Sequence, residues 1–248
     1  MSASPYSLEG RTILVTGASS GIGRACAVMA SQMGARLILT GRDAARLQET
    51  LTSLEGTDHI ARTLDLNDPA AWTDWVQTMG PIDGLVYAAG IAQVAPFRMI
   101  SERHFQSQMD INFKAPMFLT QALLKAKKIN VNASLVYLSA DAHHIAPVGS
   151  AIYSASKAAL ISAVRSLALE VAKQKIRANC VSPGYVRTPM FDQLATTTSV
   201  ADMVKLAPLG LIEPEEVATC VAYLLSEGSR WVTRSNLVVD SGLTIPMR

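Results

Sequence analysis

The residues best suited to acid–base chemistry are Tyr153 and Lys157, which lie four positions apart in the sequence. Residues at this spacing share one face of an α-helix. A free tyrosine has a pKa of about 10, so a phenol that exchanges protons near neutral pH needs a cation beside it. We therefore expect Lys157 to lower the pKa of Tyr153. The alternative is a surface tyrosine on an amphipathic helix, the commoner meaning of such a pair taken alone.

A glycine-rich segment near the N-terminus predicts a phosphate-binding turn. Residues 11–16 are typical of a short buried strand, Gly17, Gly21 and Gly23 follow, and an apolar helix is expected from about residue 24 to 33. This arrangement lets backbone N–H groups and a helix N-terminus approach a pyrophosphate. Gly17 would form the turn, Gly21 would admit the phosphates, and Gly23 would let the helix pack on the strand. An ordinary tight turn is the alternative.

Short apolar runs alternate with helical patterns along the chain, which predicts an α/β fold. Strands are expected at residues 12–15, 36–40, 59–65, 84–88, 133–138, 176–181 and 236–239. Further helices are expected at residues 44–54, 69–79, 102–127, 152–173 and 214–225. This alternation is typical of a parallel sheet with helices on both faces, and ligands of such sheets bind at the carboxyl ends of the strands. We expect residues 1–248 to form a single domain.

Composition excludes several other classes of protein. The 248 residues are 49% hydrophobic, enough for one large core, and the net charge of +2 with scattered basic residues argues against a nucleic-acid surface. Three widely separated cysteines indicate reduced core thiols, and their spacing predicts no metal site. No apolar run reaches the ~18 residues of a membrane span, and the first ten residues do not resemble a signal peptide. We expect a soluble cytoplasmic protein.

Several motifs, in this order and at these separations, resemble the short-chain dehydrogenase/reductase family over essentially the whole chain. They are the turn at residues 16–23, Asp65, Ala89-Gly90, Asn112, Ser139, Tyr153-x-x-x-Lys157 and residues 183–188. The resemblance implies a Rossmann-like, doubly wound fold. It also implies a nicotinamide cofactor and reversible hydride transfer between that cofactor and an alcohol/carbonyl pair.

The resemblance implies roles for four of these residues. Tyr153 would protonate the substrate oxygen in reduction and take the proton back in oxidation. Ser139 would hydrogen-bond the same oxygen, and Lys157 would hold the ribose of the nicotinamide as well as acidify Tyr153. Asn112 would hold a water that links Lys157 to solvent. The plainer alternatives are a turn serine for Ser139 and a polar surface position for Asn112.

The choice of nicotinamide cofactor should depend on the end of the second predicted strand. An acidic residue there binds the ribose 2′-hydroxyl of NAD, whereas an arginine pairs with the 2′-phosphate of NADP. Gly41 occupies the acidic position and Arg42 follows it, which favours NADP(H) over NAD(H). Ser20 stands where many NADP-dependent relatives carry a second basic residue, so Arg42 could act alone. Alternatively Asp43 is a helix cap and Arg42 is merely solvated.

The cofactor-binding set implied by the resemblance spans the glycine-rich turn, the ends of four strands and the long helix. Asp65 and Leu66 match the pair that contacts adenine in the family, and Thr188 matches a threonine that binds the nicotinamide or the phosphate. The full set is Gly17, Ser19, Ser20, Gly21, Ile22, Gly23, Arg42, Asp65, Leu66, Ala89, Gly90, Tyr153, Lys157, Pro183, Gly184, Val186 and Thr188.

The chain departs from the family pattern at three places. Tyr87 and Ala88 replace two asparagines before Ala89-Gly90, and Arg234 and Ser241 replace glycines near the C-terminus. These changes put cofactor affinity and subunit packing in question, but not the type of reaction.

The substrate pocket is expected to form from residues 93–97, 141–149 and 190–209. Residues 196–199, a Thr-Thr-Thr-Ser run, suggest a mobile lid in the third segment. The adjacent His143 and His144 are more often solvated in such a loop than in contact with substrate.

The chain looks most like the 3-oxoacyl-[acyl-carrier-protein] reductase branch of the family. Five lysines at predicted helix ends could attract an acidic carrier protein, although lysines are common there for helix-dipole reasons alone. Two alternatives are an NADP-dependent alcohol, sugar or secondary-metabolite dehydrogenase and, less favoured, a redox sensor that binds the nucleotide without turnover. Relatives of this length usually form tetramers, so we expect a homotetramer or a dimer. The five lysines are Lys125, Lys127, Lys128, Lys173 and Lys175.

Overall fold

One seven-stranded sheet forms the centre of the molecule. The computed structural model describes residues 4–195 and 205–244. The strand order is β3-β2-β1-β4-β5-β6-β7, and every neighbouring pair is parallel. The strands are β1 Thr12–Thr16, β2 Arg36–Gly41, β3 Ile60–Thr63, β4 Ile82–Tyr87, β5 Ile129–Leu138, β6 Arg177–Pro183 and β7 Asn236–Val239.

Helices connect the strands and cover both faces of the sheet. They are α1 Gly21–Gln32, α2 Ala44–Thr52, α3 Pro69–Thr78, α4 Glu102–Met109, α5 Ala115–Lys125, α6 Ala142–Ile145, α7 Ala151–Val171, α8 Pro189–Ala195 and α9 Pro214–Leu225.

The strand order identifies where a ligand should bind. The chain builds β1, β2 and β3 outward in one direction, then returns to the other side of β1 to place β4 and the remaining strands. Successive connections therefore leave β1 and β4 toward opposite faces of the sheet, which opens a crevice beyond their carboxyl ends. This is the doubly wound arrangement, and the predicted Rossmann-like fold is confirmed.

Alternating side chains along the strands feed two hydrophobic cores. On one face Leu14 and Leu135 join a cluster with Trp72 of α3 and Val164 of α7. On the other face the neighbouring strand residues pack against Cys26 of α1 and Val221 of α9, among others. Because both faces are covered, the central strands are apolar at nearly every position rather than at alternate ones. Burial of both faces holds the carboxyl edge of the sheet in one fixed geometry.

The helix predicted over residues 102–127 is interrupted in the structure. A π-helical segment, Asp110–Lys114, separates α4 from α5. Pro116 lacks a backbone N–H and cannot donate to the carbonyl of Asn112, so a regular helical ladder cannot pass this point. The wider turn carries Asn112 inward, and the residue is 1% exposed.

Smaller differences concern element ends and special backbone positions. The first helix begins at Gly21 rather than at about residue 24, and β5 begins at Ile129 rather than at residue 133. Arg234 and Ser241, which replace family glycines, have φ angles of +62° and +56°. Both positions keep the left-handed backbone that glycine would adopt most easily.

None of the helices described is long and apolar enough to cross a membrane. Within residues 4–195 and 205–244, no group of three or more His, Cys, Asp or Glu side chains could hold a metal ion. The three cysteines are free, and Cys26 and Cys180 are buried.

Candidate active site

Two adjoining cavities open at the carboxyl edge of the sheet. The first, here called the glycine-turn cleft, has a volume of about 400 Å³ and runs from Arg42 past the glycine-rich turn to Ile91. The second, here called the Tyr153 pocket, has a volume of about 300 Å³. Ile22, Thr188 and Met190 line both cavities. A ligand that filled the cleft would therefore present one end to the pocket.

The glycine-rich turn leaves no room for side chains. Gly17 has a φ of +68°, and a Cβ atom there would lie 2.7 Å from the backbone nitrogen of Ala89. A Cβ on Gly23 would collide with the carbonyl oxygen of Gly17. The hydroxyl of Ser19, which lines the cleft, is buried and has no hydrogen-bond partner within the protein. A backbone cradle with a free hydroxyl fits a phosphate-containing nucleotide.

Two arginines, not one, lie at the far end of the glycine-turn cleft. Arg42 and Arg46 both line it, and both are exposed. Asp43 caps α2 by accepting a hydrogen bond from the backbone N–H of Arg46 at 3.0 Å, and it pairs with the Arg46 guanidinium at 3.5 Å. Asp43 is therefore a helix cap, and Arg46 lies beside Arg42 at this end of the cleft, whereas the binding of a 2′-phosphate by Arg42 stays a prediction. Arg46 was signalled by its i+4 spacing from Arg42 at a helix start.

Gly41 has a steric reason to lack a side chain. A Cβ atom there would collide with the hydroxyl of Ser19. An acidic residue at this strand end, which NAD-binding proteins use, would thus require Ser19 to move. Of the expected adenine pair, Leu66 lines the cleft, whereas Asp65 accepts a hydrogen bond from Asn67 at 2.9 Å and lines a shallow neighbouring pocket with Arg42.

Asn112 is a buried clamp rather than a surface residue. Its Oδ1 accepts from the backbone N–H of Ile91 at 2.9 Å, and its Nδ2 donates to the carbonyl of Ile91 at 2.9 Å and to Ser156 at 3.1 Å. The amide therefore ties the loop after β4 to α7. A Cβ on Gly90 would lie 3.1 Å from Asn112 Oδ1 and 3.5 Å from Lys157 Nζ, so these groups meet at one point.

Lys157 is 5% exposed, and its ammonium donates to the carbonyl of Leu138 at 2.8 Å. Burial lowers the pKa of Lys157 from 10.5 to about 8.

Ser139 also lies beside Lys157, but its hydroxyl donates to the backbone carbonyl of Lys157 at 3.1 Å. That bond must break before Ser139 can donate to a substrate. The predicted contact of Ser139 with substrate stays a prediction.

Tyr153 and Lys157 come together as expected, with Nζ 5.9 Å from the centre of the phenol ring. The expected effect on the phenol is nevertheless wrong. Burial raises the pKa of Tyr153 above its ordinary value, and the negative charge of Asp141 raises it further. The ammonium lies over the ring and is bonded to Leu138 rather than to the phenol oxygen. Tyr153 therefore carries its proton at neutral pH.

Asp141 was given no chemical role by the sequence, yet it lies in the Tyr153 pocket. It is 5% exposed, and its Oδ2 has no hydrogen-bond partner in the protein. Burial foremost, and then the charge of Asp240, raise the pKa of Asp141 from 3.8 to about 7. The sequence signal for Asp141 was an acidic residue just after a buried strand.

His143 and His144 pack on each other with ring centres 3.9 Å apart, and the pocket lining includes neither.

The remaining lining of the Tyr153 pocket is largely apolar and comes from parts of the three expected segments. Residues 196–199, the suggested lid, lie outside the described residues. Thr188 sits between the cavities, where its hydroxyl donates to the carbonyl of Val186 and accepts from the N–H of Phe191, both at 3.2 Å. The apolar lining includes Val94, Ala140, Ala142, Ile145, Pro147, Val148, Pro183, Val186, Met190 and Phe191.

The five lysines considered for carrier docking lie at the wrong edge of the sheet. They lie at or just after the ends of α5 and α7, shortly before β5 and β6 begin, whereas the pocket lies where these strands end. β5 has ten residues, so roughly 30 Å of strand separates the two edges. Lys128 is also held by the carbonyl of Met79 at 2.6 Å. These lysines do not support delivery of a substrate to this pocket.

The chain is similar to known proteins over most of its length. A family model described as enoyl-(acyl carrier protein) reductase matches residues 17–244. The 3-oxoacyl-[acyl-carrier-protein] reductase FabG of Rickettsia conorii is 32% identical, over 95% of this chain and 98% of its own.

Two solved structures are similar over almost their whole length. One is a short-chain type dehydrogenase/reductase from Mycobacterium marinum, with a TM-score of 0.88, 30% identity and coverage of 97% of this chain and 98% of its own. The other is a putative 2-deoxy-d-gluconate 3-dehydrogenase from Agrobacterium tumefaciens with bound NADP, with a TM-score of 0.88, 31% identity and coverage of 98% and 99%. The chain belongs to the short-chain dehydrogenase/reductase family and is an oxidoreductase acting on CH–OH/C=O groups.

Proposed function

We propose that the protein is an NADP(H)-dependent reductase of small carbonyl compounds, with Tyr153 as the proton donor. The observation that carries the proposal is the position of a protonated phenol in a pocket that adjoins a glycine-lined cleft with two arginines at its far end. The cofactor would supply the hydride. The residues of this chain would bind the cofactor, orient the carbonyl and deliver the proton.

NADP(H) is favoured over NAD(H) by charge and by space. Arg42 and Arg46 are exposed at the end of the cleft where a ribose 2′-phosphate would lie, and guanidinium groups bind phosphate strongly. Gly41 offers no carboxylate to bind a free 2′-hydroxyl or to repel the phosphate. The similar Agrobacterium structure contains NADP, which is consistent with this choice.

Four residues would share the proton chemistry. As hydride reaches the carbonyl carbon, negative charge develops on the oxygen, and Tyr153 would neutralise it by donating its proton. Lys157 would hold the ribose hydroxyls of the cofactor. Ser139 would turn from Lys157 toward the substrate oxygen. Asn112 would keep the loop after β4 in place and support a water path for the returning proton.

Two substrate classes are supported by different observations. The apolar lining of the Tyr153 pocket suits the acyl chain of a 3-oxoacyl thioester, the substrate class named for the Rickettsia relative. The buried carboxyl of Asp141 favours the second class, an alcohol or sugar-like compound with a hydroxyl to bind it. The first class is weakened by the position of the five lysines, because carrier docking there would not reach the pocket.

The test is consumption of NADPH by a panel of carbonyl compounds that includes an acetoacetyl thioester, cyclic ketones and sugars. Tyr153→Phe should abolish turnover and leave NADPH binding intact, because it removes the proton and little else. Tyr223→Phe on α9 is a matched control that removes a phenol hydroxyl away from the pocket and should keep full activity. If wild type binds NADPH yet consumes it with none of these compounds, the proposal is wrong and a nucleotide sensor is favoured.

A further inference from the structure

Asp141 has one carboxyl oxygen that the fold leaves without a partner. The residue is only 5% exposed, and its Oδ2 is buried without a hydrogen-bond partner. A buried carboxyl oxygen without a partner costs free energy, so most folded proteins provide one. The neighbouring lining residues Ala142 and Ile145 are apolar, and a leucine or valine at position 141 would suit them better. A group retained at such a cost calls for a partner that arrives from outside the protein.

The backbone holds this carboxyl in a defined position. The N–H of Asp141 donates to the carbonyl of Pro183 at 2.9 Å, which continues the pairing of β5 with β6 beyond the end of β5. The backbone of Asp141 is therefore held by the sheet and not by a loose loop. A binding group on a rigid element can discriminate between ligands.

The groups that face Asp141 leave its oxygen available. Its charged and titratable neighbours are Asp240, which follows β7, Tyr153 on α7 and Tyr185, which follows β6, and backbone N–H groups of Asp141 and Ala142 also meet the carboxyl. Among these described neighbours there is a carboxylate and two phenols, and no cation. The hydroxyl of Ser139 donates its hydrogen bond to the backbone carbonyl of Lys157. Gln93 and Tyr185 also line the pocket, and among its polar side chains Asp141 has the buried oxygen that no hydrogen bond satisfies.

We propose that Asp141 determines substrate specificity by accepting a hydrogen bond from a hydroxyl group on the carbonyl substrate. This inference rests on the proposed carbonyl reduction and deepens it: the substrates are hydroxylated carbonyl compounds rather than plain ketones or 3-oxoacyl thioesters. Tyr153 takes the carbonyl oxygen, and Asp141 takes a hydroxyl on a neighbouring carbon. A hydroxyl suits this site better than an ammonium group because it can bond to the carboxyl in either protonation state.

The size of the effect follows from the strength of one such bond. A hydrogen bond to a charged group, set against its loss in a desolvated pocket, should change kcat/KM by roughly 10- to 100-fold. An analogue with a methyl group in place of the hydroxyl would leave Asp141 buried and unpaired. The wild-type protein should therefore prefer the hydroxylated member of any matched pair.

The experiment compares matched ketones in the same NADPH assay. One pair is 2-hydroxycyclohexanone and 2-methylcyclohexanone, and a second is 1-hydroxybutan-2-one and pentan-3-one. Asp141→Leu should erase the preference by lowering kcat/KM for the hydroxylated member and sparing or raising it for the methyl member. Asp141→Asn, which keeps an acceptor oxygen without the charge, should fall in between. His144→Gln, on α6 next to Asp141 but outside the pocket lining, is the control and should keep the wild-type ratio.

Each result decides the inference. It is overturned if wild type treats both members alike, if Asp141→Leu keeps the wild-type ratio, or if that variant loses activity on both members equally, which would mean a structural role. The inference is also overturned if an amino analogue, tested in the same assay, is preferred over the hydroxyl compound. The partner of Asp141 would then be a cation and not a hydroxyl. Consumption of plain ketones without any hydroxyl preference sinks the inference and leaves the proposed function standing, whereas no consumption of any ketone sinks both.

Discussion

Replacing Asp141 by asparagine should stabilise the protein, and the gain should grow with pH. The amide has the shape of the carboxyl but never ionises. In the folded chain the pKa of Asp141 is about 7, against 3.8 for a free side chain, because burial and Asp240 oppose the charge. The folded state thus holds the proton more tightly than the unfolded state. The free energy of unfolding of wild type must then fall as the pH rises from about 4 to about 7, and the loss is constant above that.

The magnitude follows from the separation of the two pKa values. The pKa of Asp141 differs by about 3 between the folded and unfolded states. This lowers the free energy of unfolding by about 4 kcal/mol once the carboxyl is ionised in both states. About 1.5 kcal/mol of this is already lost at pH 5, so about 2.5 kcal/mol remains to be lost between pH 5 and pH 8. The Asp141→Asn variant has no such term. Its advantage over wild type should widen by that amount across the same range.

Chemical denaturation at fixed protein concentration, from pH 5 to pH 8, measures the difference directly. Trp72 and Trp75 are 4% and 7% exposed, so their fluorescence should report unfolding. Asp74→Asn, which changes an exposed carboxyl on α3, is the matched control and should stay within about 0.5 kcal/mol of wild type at every pH. Parallel curves for wild type and Asp141→Asn, or a wild type that is the more stable at pH 8, would refute the reasoning.

Two further predictions concern the glycine-turn cleft and Lys157. Replacing Arg42 and Arg46 together by alanine should raise the KM for NADPH roughly 10-fold or more and leave that for NADH nearly unchanged, since the arginines would meet only a 2′-phosphate; equal effects on both cofactors in steady-state kinetics would contradict this. With a pKa of about 8, Lys157 should lose its charge as the pH rises through that value, so kcat/KM for reduction should fall above about pH 8. A pH–rate profile that stays flat to pH 10 would contradict the assigned charge.

Much of the architecture could be read from the order of residues. The alternation of apolar strands and amphipathic helices is local, so it predicts the doubly wound sheet without knowledge of contacts. The glycines at positions 17 and 23 could also be interpreted from the sequence. A turn that brings backbones together excludes side chains at those positions. Tyr153 and Lys157 were recognisable because their spacing places them on one helix face whatever surrounds the helix.

Tertiary structure decided the properties that depend on neighbours distant in sequence. The direction of the Tyr153 pKa is set by burial and by Asp141 on another element, neither of which the Tyr–Lys spacing reveals. Ser139 looked available until packing placed its hydroxyl on the carbonyl of Lys157. Asp141 became notable when folding buried its carboxyl and left Oδ2 without a partner. Pattern in the chain determines which backbone forms, whereas the charge and availability of a side chain depend on the solvent and groups that folding takes away or brings near.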